Sequence, residues 1–555
     1  MIMSHREIRK KIYKEYRFIY FTMFSTDIES ISAIEYDRFL PFFQNGIPTE
    51  TINEFHAKPG KEHFRLLAYL SSLYRESTII NIHTNGGYEA LALSYESTNT
   101  VISFGPMDRI TNPAIRTREN IRFHTDDLTN PVVREQWRES FLQSAFIFVD
   151  IEPHDGEIEY GLYRYLSDIG YTGFVVYDDI WYFKSMRNNL WYKIPESQRY
   201  DLTEVGHWSG CGVVSFNDAI TFDKRDNSNW TLVTAYFNLT KCPDASREIC
   251  ARDKNYYFSH AISTLSLPYN LVIYCDQESL PEIQRLRPTW FAEKTRYILR
   301  EFDEMRFQKN GSELSECFRD YRTKIIENRK KHPYHFDNRN TASYYLFCMA
   351  RYAMLKETII ANPFKSTHFA WINFCIERMG FQNLIRLDEG LAVNRDKFST
   401  CYIDYVPESL VRNTPEYFQF GRCSMCSGYF TGNANYMYEV CDLIETKFLE
   451  YLHLGYGHAD EQLFSAVYFD HPDLFEHYYG DYLQMITNYT YIYEAPEPPI
   501  YNFIRNSYNN GNYAKCLDGC LFLQRSIDLG KCTLSNEYRD YLTYYTQSCK
   551  ERSGK

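Results

Sequence analysis

The chain has 555 residues, is 44% hydrophobic and 24% charged, and carries a formal net charge of −12 at pH 7. This length suggests about three or four domains, and the composition is that of a globular protein with enough apolar residues for large cores. No basic block exceeds short runs such as Arg329-Lys330-Lys331, which argues against nucleic-acid or anionic-membrane partners, and no apolar run approaches the roughly 18 residues of a membrane span.

The 15 Cys follow no disulfide-framework spacing, which points to a reducing, cytoplasmic compartment. Cys423-Ser-Met-Cys426 is half of a zinc spacing without its second half, so free thiols are expected. The amino-terminal stretch is too charged for a secretory signal.

Residues 1–57 read as a helical lead-in, with charged and apolar residues at helical spacing over 6–24 and an acidic first turn at Asp27 and Glu29. Strands and helices then alternate over 58–225. A helix over 61–74 leads to a strand over 77–82, the turn Thr84-Asn85-Gly86-Gly87 and a helix from Glu89; further strands are expected over 101–104, 145–150 and 173–178. Such alternation predicts a doubly wound parallel sheet, and a Gly pair after the first strand lets a cofactor approach backbone N–H groups.

Polar Asp226-Asn227-Ser228-Asn229 marks a boundary, and a second α/β domain is expected over 226–495. Its strands are read over 230–237 and 270–274, with helices around 255–264 and 344–362. The apolar strand Phe369-Ala370-Trp371-Ile372 ends abruptly in Asn373, and the carboxyl end of such a strand is where open α/β sheets place ligands. After the stiff Pro-rich linker at 494–499, residues 496–555 read as a helical tail that packs on its neighbour or docks a partner, including a second copy. The expected fold is therefore α/β: two Rossmann-like modules plus a small α-helical tail.

Two resemblances sharpen this reading. The blocks PGKEHFRLLAYLS (59–71), IINIHTNGGYEALAL (79–93), NIRFHTDDL (120–128), FIFVDIEPHDG (146–156), GFVVYDDIWYF (173–183) and GHWSGCG (206–212) resemble class I S-adenosylmethionine-dependent methyltransferases of the small-molecule O-methyltransferase type. The resemblance implies cofactor contacts from Asn81, Thr84, Gly86, Gly87 and Asp127. It implies chemistry or a divalent ion at Asp150, Asp178 and Asp179, with His154 as a base on a sugar hydroxyl. Where such enzymes carry an acid for the ribose hydroxyls, this chain reads Ser103-Phe104-Gly105-Pro106, so S-adenosylmethionine binding is expected to be weakened or lost.

The blocks WTLVTAYFNL (230–239), LSLPYNLVIYCDQ (265–277), 343–380, SGYFTGN (427–433) and 458–489 resemble WlaTC/HtrL-type glycosyltransferases. This resemblance implies a GT-A-like fold that moves a sugar from a nucleotide-diphosphosugar, UDP-linked above all, to a glycan or protein acceptor. It places base and ribose near Thr234, Ala235 and Asn238, and the diphosphate near Arg247 and Arg351, since guanidinium binds phosphate bidentately. Asp276 and Trp371 are further donor-site candidates. Asn373 stands where relatives have an acid for Mn²⁺ or Mg²⁺ and offers a carbonyl oxygen without charge. Asp460 or Glu461 is expected to deprotonate the acceptor, unless the pair only opens a helix.

The first expectation is thus a two-module glycan-modifying enzyme. Its rivals are a catalytically silent glycan-binding scaffold and a sugar O-methyltransferase with an inactive sugar-transfer module. Its Tyr, Asn and Ile usage would suit a large DNA virus, placing it in host cytoplasm or virus factory.

Overall fold

The computed structural model describes residues 24–26, 64–83, 86–110, 112–203, 205–207, 209–222, 228–309, 312–332, 338–379, 385–420, 422–456, 459–493 and 499–553. Of the residues read as a helical lead-in only Phe24–Thr26 are described, and they form a short strand parallel to Ile220–Phe222, not a helix; Thr84, the 494–498 linker and Gly457-His458 lie outside the described residues. The chain divides into two compact units, Met1–Lys224 and Arg225–Lys555.

In the first unit, strands β1 (Thr78–Ile82), β2 (Thr100–Phe104), β3 (Ile121–His124), β4 (Ser144–Val149), β5 (Phe174–Asp178), β6 (Arg199–Asp201) and β7 (Cys211–Ser215) form one sheet in the order β3-β2-β1-β4-β5-β7-β6. β1 through β5 run parallel, and β7 is antiparallel to both neighbours. Runs such as Ser144-Ala-Phe-Ile-Phe-Val149 are buried at every position, as a strand covered on both faces must be. Helices α1 (Phe64–Ser72), α2 (Tyr88–Leu93) and α3 (Glu157–Ile169) belong to this unit. The winding reverses between β1 and β4, which creates a crevice at their carboxyl ends.

The second unit repeats the logic. Strands β8 (Trp230–Tyr236), β9 (Asn270–Cys275), β10 (Thr295–Leu299), β11 (His368–Ile372), β12 (Phe398–Tyr402), β13 (Met425–Asn433) and β14 (Phe475–Tyr479) lie in the order β10-β9-β8-β11-β13-β12-β14. β13 is antiparallel to β11 and β12; the other pairs are parallel. The parallel sheet predicted for the first unit is therefore mixed, with one reversed strand, and the second sheet also carries one. Here the winding reverses between β8 and β11.

Helix α4 (Ala342–Ala361) leads into β11. Thr341 caps its start by accepting from the Tyr344 N–H, and Asn362, in the left-handed region at φ 35°, closes it ahead of Pro363. Helices α5 (Ala434–His453) and α6 (Asp460–Asp470) follow. The tail forms α7 (Pro499–Asn509), α8 (Tyr513–Asp528) and α9 (Asn536–Ser553). Phe503 enters the main core, its ring 4.9 Å from Tyr402 and 4.7 Å from Tyr479; a Cβ on Gly519 would stand 3.1 Å from that ring.

Candidate functional site

In the second unit a cleft with about 650 Å³ of empty space opens where β8 and β11 end. Ala235 through Thr240 form one wall, and Asn373, Phe374, Cys375 and Arg378 another. Tyr236 supplies an aromatic floor, its ring 5.6 Å from Tyr257 and 5.2 Å from Phe374. Arg252, Arg351 and Arg378 line the same space, and no carboxylate or imidazole does so among the described residues.

These guanidinium groups differ. Arg351 is buried, donates to the carbonyl and hydroxyl of Ser427 and lies 3.3 Å from Asp460. Its Cζ sits 5.5 Å from the centre of the Trp371 ring. Arg252 and Arg378 are half-buried and rest on Tyr256 and Tyr257, at 5.7 and 5.9 Å. Among the described residues neither meets a carboxylate within ion-pair distance.

Asn373 faces the cleft. Its backbone is fixed: the N–H donates to Gly428 O and the carbonyl accepts from Thr264 Oγ1, both at 3.0 Å. Ala235 and Asn238 also line the cleft, as expected. The other candidates have different surroundings. Thr234 and Trp371 are fully buried in their strands. Asp276 is used by a turn, accepting from the N–H groups of Asn238 and Ser279. Arg247 is exposed at the start of a short helix and does not line the cleft. Asp460 accepts from Tyr352 and pairs with Arg351, while Glu461 accepts from Ser427 and Tyr482. Burial and the neighbouring Asp460 push the Glu461 carboxyl upward. Both acids open α6 with their oxygens committed to protein partners, and neither lines the cleft.

In the first unit a cleft with about 920 Å³ of empty space is lined by Glu152, His154, Asp179, Phe183, His207 and Ser209, among others. Asp150, His154 and Asp179 offer ligand atoms within 4.8 Å of one another, and so do Asp178, Asp179 and His207. His154 Nε2 is 3.7 Å from Asp150 and 3.5 Å from Asp179, while His207 Nδ1 is 3.2 Å from Asp178. The backbones of His154 (φ 58°) and Asp179 (φ 59°) are left-handed, a strain that persists where surroundings impose it.

Burial and then Asp178 raise the carboxyl of Asp150, and the same two causes raise Asp179. Burial pulls His207 down, but the hydrogen bond it donates to Asp178 and both aspartate charges outweigh it and the imidazole is raised. Crowded buried carboxylates of this kind repel unless a cation or protons neutralise them. The donor set, carboxylates plus imidazoles, fits the divalent cation that the sequence resemblance implies.

The cofactor positions of this unit are built differently. Asn81 is buried and donates to Ser103 Oγ at 2.8 Å. Phe104, at the end of β2, packs at 4.7 Å from Trp137 and 5.5 Å from His124. Asp127 is exposed and caps its own turn through Thr129. Gly86 and Gly87 keep the positive φ of a tight turn, 73° and 92°. With Ser103 and an aromatic cluster where a ribose-binding acid belongs, the residues present do not fit S-adenosylmethionine.

Residues 228–490, slightly under half of the chain, match a family model described as "Bacterial protein of unknown function (HtrL_YibB)". The second unit resembles that family. Similar solved structures include fibrillarin from Aeropyrum pernix with natively bound S-adenosyl-L-methionine, at 16% identity and TM-score 0.16, covering 20% of this chain and 51% of that one. A protein described as a caffeoyl-CoA O-methyltransferase from Staphylococcus aureus matches at 12% identity and TM-score 0.24, over 32% of this chain and 98% of that one. Mouse xyloside xylosyltransferase 1 matches at 11% identity and TM-score 0.26, over 44% of this chain and 84% of that one. The chain thus spans about half of the fibrillarin it matches. Comparison with curated proteins gives no match.

Sequence reasoning missed Arg252, Arg378, Tyr236 and Tyr257 in one cleft and His207 in the other. Arg378 and His207 both fall inside blocks that carried a resemblance, and His207 sits three residues before Gly210, in the turn that brings it back to Asp178.

Proposed function

We propose that the second unit is a glycosyltransferase that takes a sugar from a nucleotide-diphosphosugar and passes it to a glycan or protein acceptor. The observation that supports this reading is the cleft at the β8/β11 reversal, which combines an aromatic floor with three guanidinium groups. Nucleotides bind at such reversals in α/β sheets, and planar bases stack on aromatic rings. In the reaction the bond between the anomeric carbon and the β-phosphate oxygen breaks, its electron pair leaving with the nucleoside diphosphate, while the acceptor oxygen bonds to the anomeric carbon and gives its proton to the departing diphosphate or to water. Arg252 and Arg378 face that developing charge, and Arg351 is held in place by Asp460. In this reading Asp460 positions Arg351 and does not deprotonate the acceptor. Incubation with UDP-, GDP- and dTDP-sugars should release nucleoside diphosphate from one donor class, UDP-sugars in the first place. Absence of release and of binding with every donor would favour a silent scaffold.

The acid and imidazole cluster favours a second reading, for the first unit: it holds a divalent cation and, through it, a hydroxyl-bearing glycan. Asp150, Asp178 and Asp179, with His207, would be the ligands, and a bound cation makes a coordinated hydroxyl more acidic. His154 is then placed to hold that proton on Nε2. Titration of Mn²⁺ into the protein should show a site that Asp179→Asn weakens at least tenfold while the fold stays intact.

A further inference from the structure

The cleft of the second unit contains a disagreement with the chemistry expected of it. The sequence resemblance implies a Mn²⁺ or Mg²⁺ ion beside the donor diphosphate. Hard divalent cations take carboxylate oxygens, and manganese accepts imidazole as well. The described lining of this cleft contains neither. Asn373, at the position where an acid was expected, brings one neutral carbonyl oxygen. Asp460 and Glu461 do not line the space, and the oxygens of Asp276 are taken by two backbone N–H groups. The metal-like groupings found among the described residues all belong to the first unit.

What the cleft does contain is positive charge. Arg252 and Arg378 line it without a carboxylate within ion-pair distance among the described residues, and Arg351 stands beside them in an ion pair. Arg252 and Arg378, half-buried in one cleft and meeting no carboxylate within ion-pair distance among the described residues, are costly unless an anion joins them. A guanidinium offers a planar fork of donors that matches phosphate oxygens two at a time. The Tyr236, Tyr257 and Phe374 rings beside this charge select a ligand with both an aromatic part and a polyanionic part.

We propose that the cleft holds the diphosphate of a nucleotide sugar on Arg252 and Arg378, supported by Arg351, without a divalent cation. The inference rests on the glycosyltransferase reading of the same site and adds how its leaving group is neutralised. Two guanidinium forks supply the positive charge that a cation would otherwise bring, and Asn373 is tolerated because no metal needs its charge.

The test is calorimetric titration of UDP, GDP and dTDP into the full chain, once in EDTA and once in saturating Mn²⁺. One nucleotide should bind in EDTA, with a dissociation constant that Mn²⁺ changes by less than about twofold. Arg252→Gln and Arg378→Gln should each weaken it about tenfold or more, as expected for a lost charge-assisted contact. Arg378→Lys should recover part of the loss, and unchanged melting temperatures would show the variants folded. Binding that appears only with Mn²⁺ would overturn the inference and leave the glycosyltransferase reading standing. Folded Arg→Gln variants that bind like the parent would also overturn it. Failure of all three nucleotides in both buffers would remove the glycosyltransferase reading itself, and the inference with it.

Discussion

Asn373 shows how one side chain sets the chemistry of a cleft. Its backbone is pinned by Gly428 and Thr264 while the residue lines the cleft that holds the guanidinium groups. Asn373→Asp keeps the shape and adds a negative charge. In EDTA the new carboxylate should repel the diphosphate and weaken nucleotide binding roughly tenfold, about 1.4 kcal/mol. In Mn²⁺ the same carboxylate becomes a ligand and binding should recover. A variant that binds equally in both buffers would place the diphosphate away from residue 373. In the first unit, Glu89 is buried with Oε2 unpartnered, and burial followed by the nearby Asp178 pushes its carboxyl up to about 8. Below pH 4.5 the residue is neutral whether the chain is folded or not. Between 4.5 and 8 the unfolded chain releases the proton while the folded one keeps it, so stability falls as pH rises across that window. One such group contributes a slope of up to about 1.4 kcal/mol per pH unit. Glu89→Gln should remove that share of the slope in denaturant melts at pH 5 to 8; an unchanged slope would assign it to other carboxylates.

At the scale of elements, what could be read in the sequence depended on how local the signal was. Strands β8, β9 and β11 and helix α4 were legible to within a residue or two. Each is an apolar run with a sharp polar or Pro stop, and burial on both faces leaves no ambiguous alternation. β13 was not read as a strand. Its segment Met425-Cys-Ser-Gly-Tyr-Phe-Thr-Gly-Asn433 looks like loop chemistry, yet Met425 to Gly432 are buried. The reason is tertiary: a Cβ on Gly428 would stand 2.9 Å from the Met485 sulfur, so the missing side chain is filled from another segment. The site divides in the same way. Strand ends located Ala235 and Asn373, because a strand's stop is written in the sequence. Arg252 follows the short helix Arg247–Cys250 and Arg378 lies within the single turn Ile376–Met379, where no periodicity shows which way a side chain faces. Helix pairing gives a prediction at this scale. Lys356 on α4 is buried and lies 2.8 Å from both Asp442 and Glu445 on α5, and burial pushes the Glu445 carboxyl up to about 7 against the pull of Lys356. Lys356→Ala leaves a buried acid uncompensated and should cost about 3–5 kcal/mol at pH 8. Protonation of Glu445 should make the loss smaller at pH 5.5, and Lys356→Met with Glu445→Leu should restore most of it. Equal losses at both pH values would show that the ion pair is not what joins the helices.

At the scale of the whole molecule, the two units have separate cores, one built on the first sheet and one on the second. Their candidate ligands are also of opposite charge: a cation for the acids of the first unit, a polyanion for the arginines of the second. No described helix is long and apolar enough to cross a membrane. Ligand binding to one folded unit stabilises that unit by mass action, by about 2.7 kcal/mol at 100 times the dissociation constant. If the units unfold independently, calorimetric melting of the full chain should resolve two transitions. UDP should raise one of them and Mn²⁺ the other, and both together should raise both without further gain. Asp179→Asn should abolish only the Mn²⁺ shift, and Arg378→Gln only the UDP shift. A single transition that responds to either ligand would mean that the units melt as one cooperative body. The cation of the first unit would then report on the same equilibrium as the nucleotide of the second, and each ligand would strengthen the apparent stability of the other's site without touching it.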